Sequence, residues 1–298
     1  MALVPIAVGG SPYFLRLGTL MLFYIVCAVA FNITFSHTGQ LFLCQGALAG
    51  FSAFFSVVIT RELAIPWWVT MPLGVLFAGA IGASFSYVSV RRGLGVIFVG
   101  VITLAFTLAF HNLILGLRQF TGGETGIVTS RLGPEIFQNL STSYYIFLAT
   151  LLLVLLLYHF LVSSQIGLAF KALSDDELSA ELAGIDIIRY KVFGAFIGSA
   201  LLGIIGSFHG YYNGFINPDV FSFINIDVVV MVMLFFGGRA TLLGPLVGGV
   251  TFTVVNEVVR PLGMLSVFVY GALLIALFFV FRKGLVVVLR EAVKLHLP

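Results

Sequence analysis

The feature that most constrains the fold of this chain is the length of its stretches without a charged residue. Between Arg16 and Arg61, 44 consecutive residues include no Asp, Glu, Lys or Arg. A helix needs about 20 apolar residues to cross ~30 Å of hydrocarbon, so this stretch is long enough for two spans. Only 9% of the 298 residues are charged and 60% are hydrophobic, whereas soluble domains carry about 25% charged residues. The sequence therefore predicts an integral membrane protein.

Uncharged stretches also predict where the spans lie. The first is broken near residues 35–40, and the others cover residues 63–90, 93–117, 136–170 (with a span at 144–161), 192–218, 228–238, 240–256 and 261–281. Residues 228–238 and 240–256 are short and are joined by the sequence GGRATLLGP, which indicates broken or re-entrant helices. We expect an all-α polytopic membrane protein in which residues 1–298 form one domain. About nine helices, within a range of eight to ten, should span or half-span the membrane.

One polar segment, residues 163–191, stands out from this background. It holds five of the twelve acidic residues, namely Asp175, Asp176, Glu177, Glu181 and Asp186. Ser174 and Glu177 have the spacing of a capping box, which predicts that a helix begins there. Carboxylates at 175–177 would then lie in its first turn, where the helix dipole favours negative charge.

The same segment has the pattern of a short amphipathic helix outside the bilayer. Leu178, Leu182 and Ile185 are spaced to share one face. Gly184 follows where a helix would end with a left-handed residue. We predict a helix over about residues 175–183. The alternative is a solvated loop helix that binds no partner, since runs of charge are commonly just solvated.

The distribution of Lys and Arg predicts the orientation in the membrane. With the polar segment inside, ten cationic residues fall in inner loops and five in outer loops, as the positive-inside rule requires. The inner set is Arg91, Arg92, Lys171, Arg189, Lys191, Arg239, Arg282, Lys283, Arg290 and Lys294, and the outer set is Arg16, Arg61, Arg118, Arg131 and Arg260. The N-terminus is then external and the C-terminus cytoplasmic. The N-terminal residues lack the pattern of a cleaved secretory signal.

The sequence lacks the motifs of several kinds of binding and catalytic site. There is no phosphate-binding G-x-x-x-x-G-K-[ST] motif, and the five histidines do not have metal-ligand spacing. Cys27 and Cys44 lie in apolar runs and are expected to be small core residues. The net charge of +3 gives no indication of a nucleic-acid partner. We predict no enzyme activity, no metal and no cofactor.

Four polar side chains in or near spans are candidates for a substrate path. Asp227 and Glu257 are carboxylates, and an ionisable group inside a membrane is functional by default. Glu257 could instead form a surface pair with Arg260. Gln45 and Asn256 lie in apolar runs, where each could line the path or hydrogen-bond a neighbouring helix.

Four stretches resemble the branched-chain amino acid permeases of ABC importers, of the LivM type. The polar segment is similar to the family's cytoplasmic coupling loop, and SHTGQLFLCQGALAGFSAFF (36–55) is similar to a Gln-Gly-Ala motif that adds Gly46 to the candidate path. Residues 120–127, FTGGETGI, and residues 214–249 resemble two further family segments. Asp227 stands where the family usually carries Glu, and Arg239 is an unusual basic residue in a normally neutral turn.

This resemblance implies a multi-pass subunit of the cell membrane. Its partners would be two cytoplasmic ATPases, a second permease that is identical or a sister subunit, an external substrate-binding protein and the lipid bilayer. The polar segment would be the coupling loop, whose helix contacts an ATPase through Asp175, Asp176, Glu177, Leu178, Glu181, Leu182, Gly184 and Ile185. The substrate would be a branched-chain amino acid. The alternatives are a permease for urea or short-chain amides, which shares the family pattern, and an ATP-independent secondary transporter.

Overall fold

The computed structural model describes residues 12–129, 135–259, 261 and 271–272, and nearly all of them are helical. The helices are α1 Pro12–Phe31, α2 Gln45–Leu63, α3 Trp67–Arg91, α4 Val96–Gly116, α5 Arg118–Thr121, α6 Leu140–Ser163, α7 Gln165–Asp175, α8 Glu177–Leu182, α9 Ile187–Tyr212, α10 Val229–Gly237 and α11 Gly244–Val259. Two π-helical turns, Asn32–His37 and Phe223–Val228, extend α1 and precede α10. Three 3₁₀ turns cover Gly123–Thr125, Glu135–Gln138 and Pro218–Phe221.

Six of these helices are long and apolar enough to cross a membrane, namely Pro12–His37, Gln45–Leu63, Trp67–Arg91, Val96–Gly116, Leu140–Ser163 and Ile187–Tyr212. Two shorter apolar helices, Phe223–Gly237 and Gly244–Val259, follow. The all-α polytopic fold is therefore confirmed, and the described residues account for eight of the elements expected. The last predicted span, residues 261–281, lies almost entirely outside the described residues.

The first predicted break is an interruption at residues 38–44. The π turn ends α1, Gly39 adopts a left-handed φ of 68°, and a non-helical stretch leads to the start of α2. Threonines of α4 hydrogen-bond the non-helical backbone of this stretch. Thr103 Oγ1 accepts from Leu43 N at 2.9 Å, and Thr107 Oγ1 donates to Leu43 O at 2.8 Å. These bonds satisfy backbone groups that a helix would satisfy internally.

The second interruption, residues 238–243, turns α10 back onto α11. A Cβ at Gly237 or at Gly248 would lie 1.9 Å from a carbonyl oxygen of the opposite helix, so both positions need glycine. Gly238 has a φ of 115°, which also favours glycine. The GGRATLLGP sequence therefore encodes a tight helical hairpin, as its short flanking runs predicted.

Helix α9 lies at the centre of the bundle and packs against α3 and α2. Glycines allow the close approach, since a Cβ at Gly82 would overlap the Ser199 side chain and one at Gly206 would lie 2.3 Å from Ala49 O. At one end of the bundle, a two-residue antiparallel ladder pairs Ile127 with Ile216. This ladder, β1 Ile127–Val128 with β2 Phe215–Ile216, joins the loop after α5 to the loop after α9. Strands of two residues are too short to give a sequence pattern.

Candidate substrate path and coupling segment

The N-terminus of α2 lies near the middle of the bundle rather than at its edge. A Cβ at Gly206 of α9 would meet Ala49, and one at Gly210 would meet Ala53, so the two helices run in parallel there. Gln45, the first residue of α2, is one turn before Ala49 and is therefore level with the middle third of α9. Residues 38–44 thus lead the chain back into the bundle, and α2 starts at that depth.

Asp227 caps this deep helix N-terminus from a distant part of the sequence. Its Oδ1 accepts a hydrogen bond from Gln45 N at 2.6 Å, and its Oδ2 accepts one from Gly46 N at 3.2 Å. Cys44, at the N-cap position, provides no side-chain cap. A Cβ at Gly46 would lie 2.4 Å from Phe221 O, so glycine is needed for this approach. The π-helical turn before α10 thereby places a carboxylate on the first N–H groups of α2.

The surroundings of this carboxylate are unusual in two respects. Asp227 is fully buried, yet it forms no ion pair within the part of the chain that the structure describes. Gln45 is 1% exposed, and neither its Oε1 nor its Nε2 has a hydrogen-bond partner among the described residues. A buried polar group without a partner costs about 1–3 kcal/mol. The site therefore combines a buried carboxyl group, a helix N-terminus and an amide without a partner among the described residues.

Only three of the five candidate path residues come together here. Asn256 is exposed on α11, and Glu257, half-buried on the same helix, accepts a hydrogen bond from the Tyr13 hydroxyl. Arg260, the surface partner considered for Glu257, lies outside the described residues. A path role for Asn256 and Glu257 stays a prediction, separate from the site around Asp227.

A buried polar network that the sequence analysis missed joins the two interruptions. Asn32, in the π turn of α1, donates from Nδ2 to Tyr158 Oη at 2.9 Å and to Thr241 O at 3.0 Å. Its Oδ1 accepts from Ala240 N at 2.9 Å. His37 Nε2 and Tyr158 Oη are 2.7 Å apart. The sequence feature that could have found this network is an Asn in an otherwise apolar, uncharged run. In such surroundings a side-chain amide usually hydrogen-bonds a neighbouring helix or a ligand.

The polar segment forms two helices rather than the single one predicted. α7 ends at Asp175, Asp176 is extended, and α8 covers Glu177–Leu182. The capping-box prediction is wrong, because Asp176 caps α8 by accepting from Leu178 N at 3.0 Å. The Ser174 hydroxyl instead donates to Ser36 O at 3.4 Å. Of the three acids expected in the first turn, only Glu177 lies there.

The end of α8 is as predicted. Gly184 has a φ of 86°, in the left-handed region. Gly184 N donates to Glu181 O at 2.9 Å and Ile185 N donates to Ala180 O at 3.0 Å, which is the hydrogen-bond pattern of a Schellman cap. Leu178 and Leu182 are 66% and 83% exposed, so the described residues leave the apolar face of α8 uncovered.

The charge on Asp176 is maintained by its neighbours. The Ser179 hydroxyl, which donates to Asp176 Oδ2 at 2.7 Å, lowers the pKa of this carboxyl most, and the Leu178 N–H lowers it further. The carboxylate therefore stays ionised, and able to cap α8, to a lower pH than an ordinary Asp.

The polar segment contacts the first interruption. Lys191 is buried at the start of α9 and its Nζ lies 2.5 Å from Glu177 Oε1. Glu177 in turn lies beside Gly39, where a Cβ would be 3.9 Å from Oε1. A cavity of about 780 Å³ separates α8 from the turn after α3, and Gln40 lines it. The first residue of α8 is thus linked both to α9 and to the interrupted span.

Residues 13–278 match the family model described as the branched-chain amino acid transport system permease component. The chain belongs to this family. Among its relatives, the high-affinity branched-chain amino acid transport permease LivM of Salmonella typhimurium is 25% identical over 99% of this chain and 76% of the relative. LivM of Escherichia coli is 24% identical over 94% of this chain and 71% of the relative.

Another relative is similar over a shorter stretch of this chain. The probable branched-chain amino acid transport permease LivH of Methanocaldococcus jannaschii is 24% identical over 76% of this chain and 73% of the relative. No solved structure matches the chain. The permease family is therefore established from sequence, and the geometry above belongs to one of its members.

Proposed function

We propose that this permease is the membrane-spanning subunit of an ABC importer that carries branched-chain, hydrophobic amino acids. The observation that carries the proposal is the family match over residues 13–278. The subunit pairs with a second permease, identical or a sister, to form the path. An external binding protein delivers the substrate, and two cytoplasmic ATPases drive the cycle. Residues 1–298 act as one transmembrane domain, with residues 163–191 as its coupling loop.

The coupling contact is made by the second helix of the polar segment. The exposed Leu178 and Leu182 enter an ATPase groove together with Ile185, and the acidic residues meet basic residues at the rim. Amphipathic helices bind grooves in this way, with apolar anchors one turn apart. The contact set is Asp175, Asp176, Glu177, Leu178, Glu181, Leu182, Gly184 and Ile185.

Movement of α8 reaches the substrate path through the first interruption. The Ser174–Ser36 hydrogen bond and the Glu177–Lys191 ion pair link the polar segment to the π turn of α1 and to α9. Residues 38–44 then lead directly to Gln45. ATP can drive transport only if the conformations of the permease that it drives differ in their contacts with substrate. This route connects the proposed ATPase contact to the start of α2, where such contacts would differ.

The orientation follows from the cation count, with the polar segment and the C-terminus cytoplasmic and the N-terminus external. Single cysteines at Ser179 and at Glu124, in a chain in which Cys27 and Cys44 are replaced by Ala, are expected to react from opposite sides. Both residues are exposed. The measurement is labelling of intact cells by a membrane-impermeant maleimide, where only the Glu124→Cys variant should react. Labelling of both variants from outside would overturn the topology.

Dependence on an ATPase distinguishes this proposal from a secondary transporter. The wild-type chain, co-expressed with the ATPases of its own importer and purified in detergent, should retain them. In nanodiscs the complex should hydrolyse ATP faster when loaded binding protein is added. Leu182→Glu places a charge on the apolar face of α8 and is expected to reduce ATPase retention, whereas Val128→Glu, at an apolar residue that is also exposed but lies at the other end of the bundle, should not. Purification without any ATPase, together with substrate transport that needs no ATP, would favour the secondary transporter.

A further inference from the structure

The Asp227 carboxyl group has no positively charged side chain paired with it among the described residues. It is fully buried, and the ion pairs of the described residues lie elsewhere in the chain. Its two hydrogen bonds come from the backbone N–H groups of Gln45 and Gly46. A buried charge is ordinarily paired, and an unpaired carboxylate inside a membrane protein marks a ligand or ion site.

Asp227 is bound by a helix N-terminus, which is also the kind of group that binds the carboxylate of a small molecule. The N-terminus of a helix offers unused N–H groups and a positive dipole end, and half-helices that begin near the middle of a membrane protein use both to hold an anionic substrate group. α2, with 19 residues, begins at such a depth. Asp227 therefore occupies the position that a substrate carboxylate would take.

The Gln45 amide supplies an independent observation at the same turn. It is 1% exposed, and both of its polar atoms lack a partner among the described residues. Gln40, five residues earlier, shows the contrast, since its side chain exchanges hydrogen bonds with the Ser86 hydroxyl at 2.8 and 3.0 Å. A ligand can supply the hydrogen bonds that a buried amide lacks within its own chain. The amide N–H groups can donate to a carboxylate, and the amide oxygen can accept from an ammonium.

We infer that the start of α2, the Gln45 amide and Asp227 form a binding site for a zwitterionic α-amino acid, with Asp227 holding the place of the substrate carboxylate until substrate arrives. The substrate carboxylate replaces Asp227 on the N–H groups of Gln45 and Gly46. The released Asp227 carboxylate then pairs with the substrate ammonium. The exchange leaves no buried charge unpaired, and it rests on the proposed function because the substrate is an amino acid.

Two substitutions separate this role from simple helix capping. Asp227→Asn keeps an oxygen that can accept from the helix N-terminus but removes the charge that the ammonium needs. We expect it to reduce leucine uptake by the reconstituted importer at least tenfold while the complex still assembles. Asp219→Asn is the matched control, since Asp219 is an exposed carboxylate eight residues earlier, and its uptake should stay within twofold of wild type.

Gln45→Leu tests the amide without relying on the carboxylate. Because the amide has no partner to lose among the described residues, the melting temperature of the complex should stay the same or rise, while uptake falls at least fivefold. Gln40→Leu removes satisfied hydrogen bonds and should instead lower the melting temperature. A Gln45→Leu complex with a reduced melting temperature and proportionately reduced uptake would assign Gln45 a structural role and overturn the inference.

Stabilisation by small molecules tests the ligand class directly. In nanodiscs without binding protein, millimolar leucine should raise the melting temperature of the wild-type complex by several degrees. Equal concentrations of 4-methylpentanoate, which lacks the ammonium, or of leucinamide, which lacks the carboxylate, should not. Equal stabilisation by all three compounds, or by none, would overturn the inference.

The uptake measurements also tell the two proposals apart. If wild-type importer accumulates leucine and Asp227→Asn does so within twofold, the amino-acid importer stands and the zwitterion site is wrong. If wild type accumulates urea but no amino acid, the proposed substrate itself is wrong. A tenfold loss in Asp227→Asn with normal Asp219→Asn uptake supports both.

Discussion

Replacement of Gly184 by Val is expected to abolish coupled transport while the protein reaches the membrane in normal amount. Gly184 has a φ of 86°, and no atom of the described residues lies within 4 Å of the position where its Cβ would be. The substitution therefore causes no clash, and its effect comes from the backbone. A β-branched residue in the left-handed region costs about 1–3 kcal/mol. α8 is only six residues long, so unwinding its last turn is the easiest way to relieve that strain.

The measurement is ATP hydrolysis by the reconstituted complex with and without loaded binding protein, alongside the ratio of copurified ATPase. The Val variant should lose most of the stimulation, because Leu182 would no longer present the same face. Gly184→Asn is the matched control, since Asn adopts left-handed φ far more readily than Val, and it should retain most of the stimulation. Gly93→Val places the same strain, at a φ of 61° with equally open surroundings, in the turn after α3. Wild-type stimulation in Gly184→Val would mean that the polar segment is only a solvated loop.

Replacement of Asn32 by Leu is expected to destabilise the bundle and to stop transport. The substitution leaves Ala240 N–H and Thr241 C=O without their bonds to Asn32. Each buried group left unpaired costs about 1–3 kcal/mol, and the lower end applies here because the hairpin turn is partly exposed. The two interruptions would then move independently.

The measurement for Asn32→Leu is the melting temperature of the purified complex, followed by leucine uptake. Both should fall well below wild type. Asn112→Leu is the control, because the exposed Asn112 donates to Leu108 O of its own helix and to no other group among the described residues, and it should melt close to wild type. An Asn32→Leu complex that melts and transports normally would show that the network does not hold the two interruptions together.

The spans could be predicted from sequence because the cause is local. A run of about 20 uncharged apolar residues is the length and composition of a membrane-spanning helix. The break before α2 coincides with a polar stretch, which disfavours a continuous membrane helix there. Gly184 was predictable for the same reason, since a left-handed helix end strongly favours glycine. In each case, neighbouring residues alone decide the outcome.

The arrangement of the site depends on contacts that neighbouring residues do not encode. Gln45 and Asp227 were both candidates, but the sequence gives no reason for the carboxylate to lie on the N–H groups of α2, 182 positions away. The start of α8 was misplaced because Ser174 and Asp176 are both good N-cap residues. A tertiary contact decides between them, since the Ser174 hydroxyl is engaged by Ser36 O. Asn32 was missed because the sequence around a single amide in an apolar run does not show which distant groups it hydrogen-bonds.

The most direct test of the account is uptake by proteoliposomes that contain this permease with its partner permease, its ATPases and its binding protein. Labelled leucine and labelled urea are supplied outside, with ATP or ADP enclosed. We predict that leucine accumulates only with ATP and that excess unlabelled urea does not compete. Accumulation of urea in place of leucine, or leucine accumulation that is the same with ADP, would contradict the assignment of this chain as the path of an ATP-driven amino-acid importer.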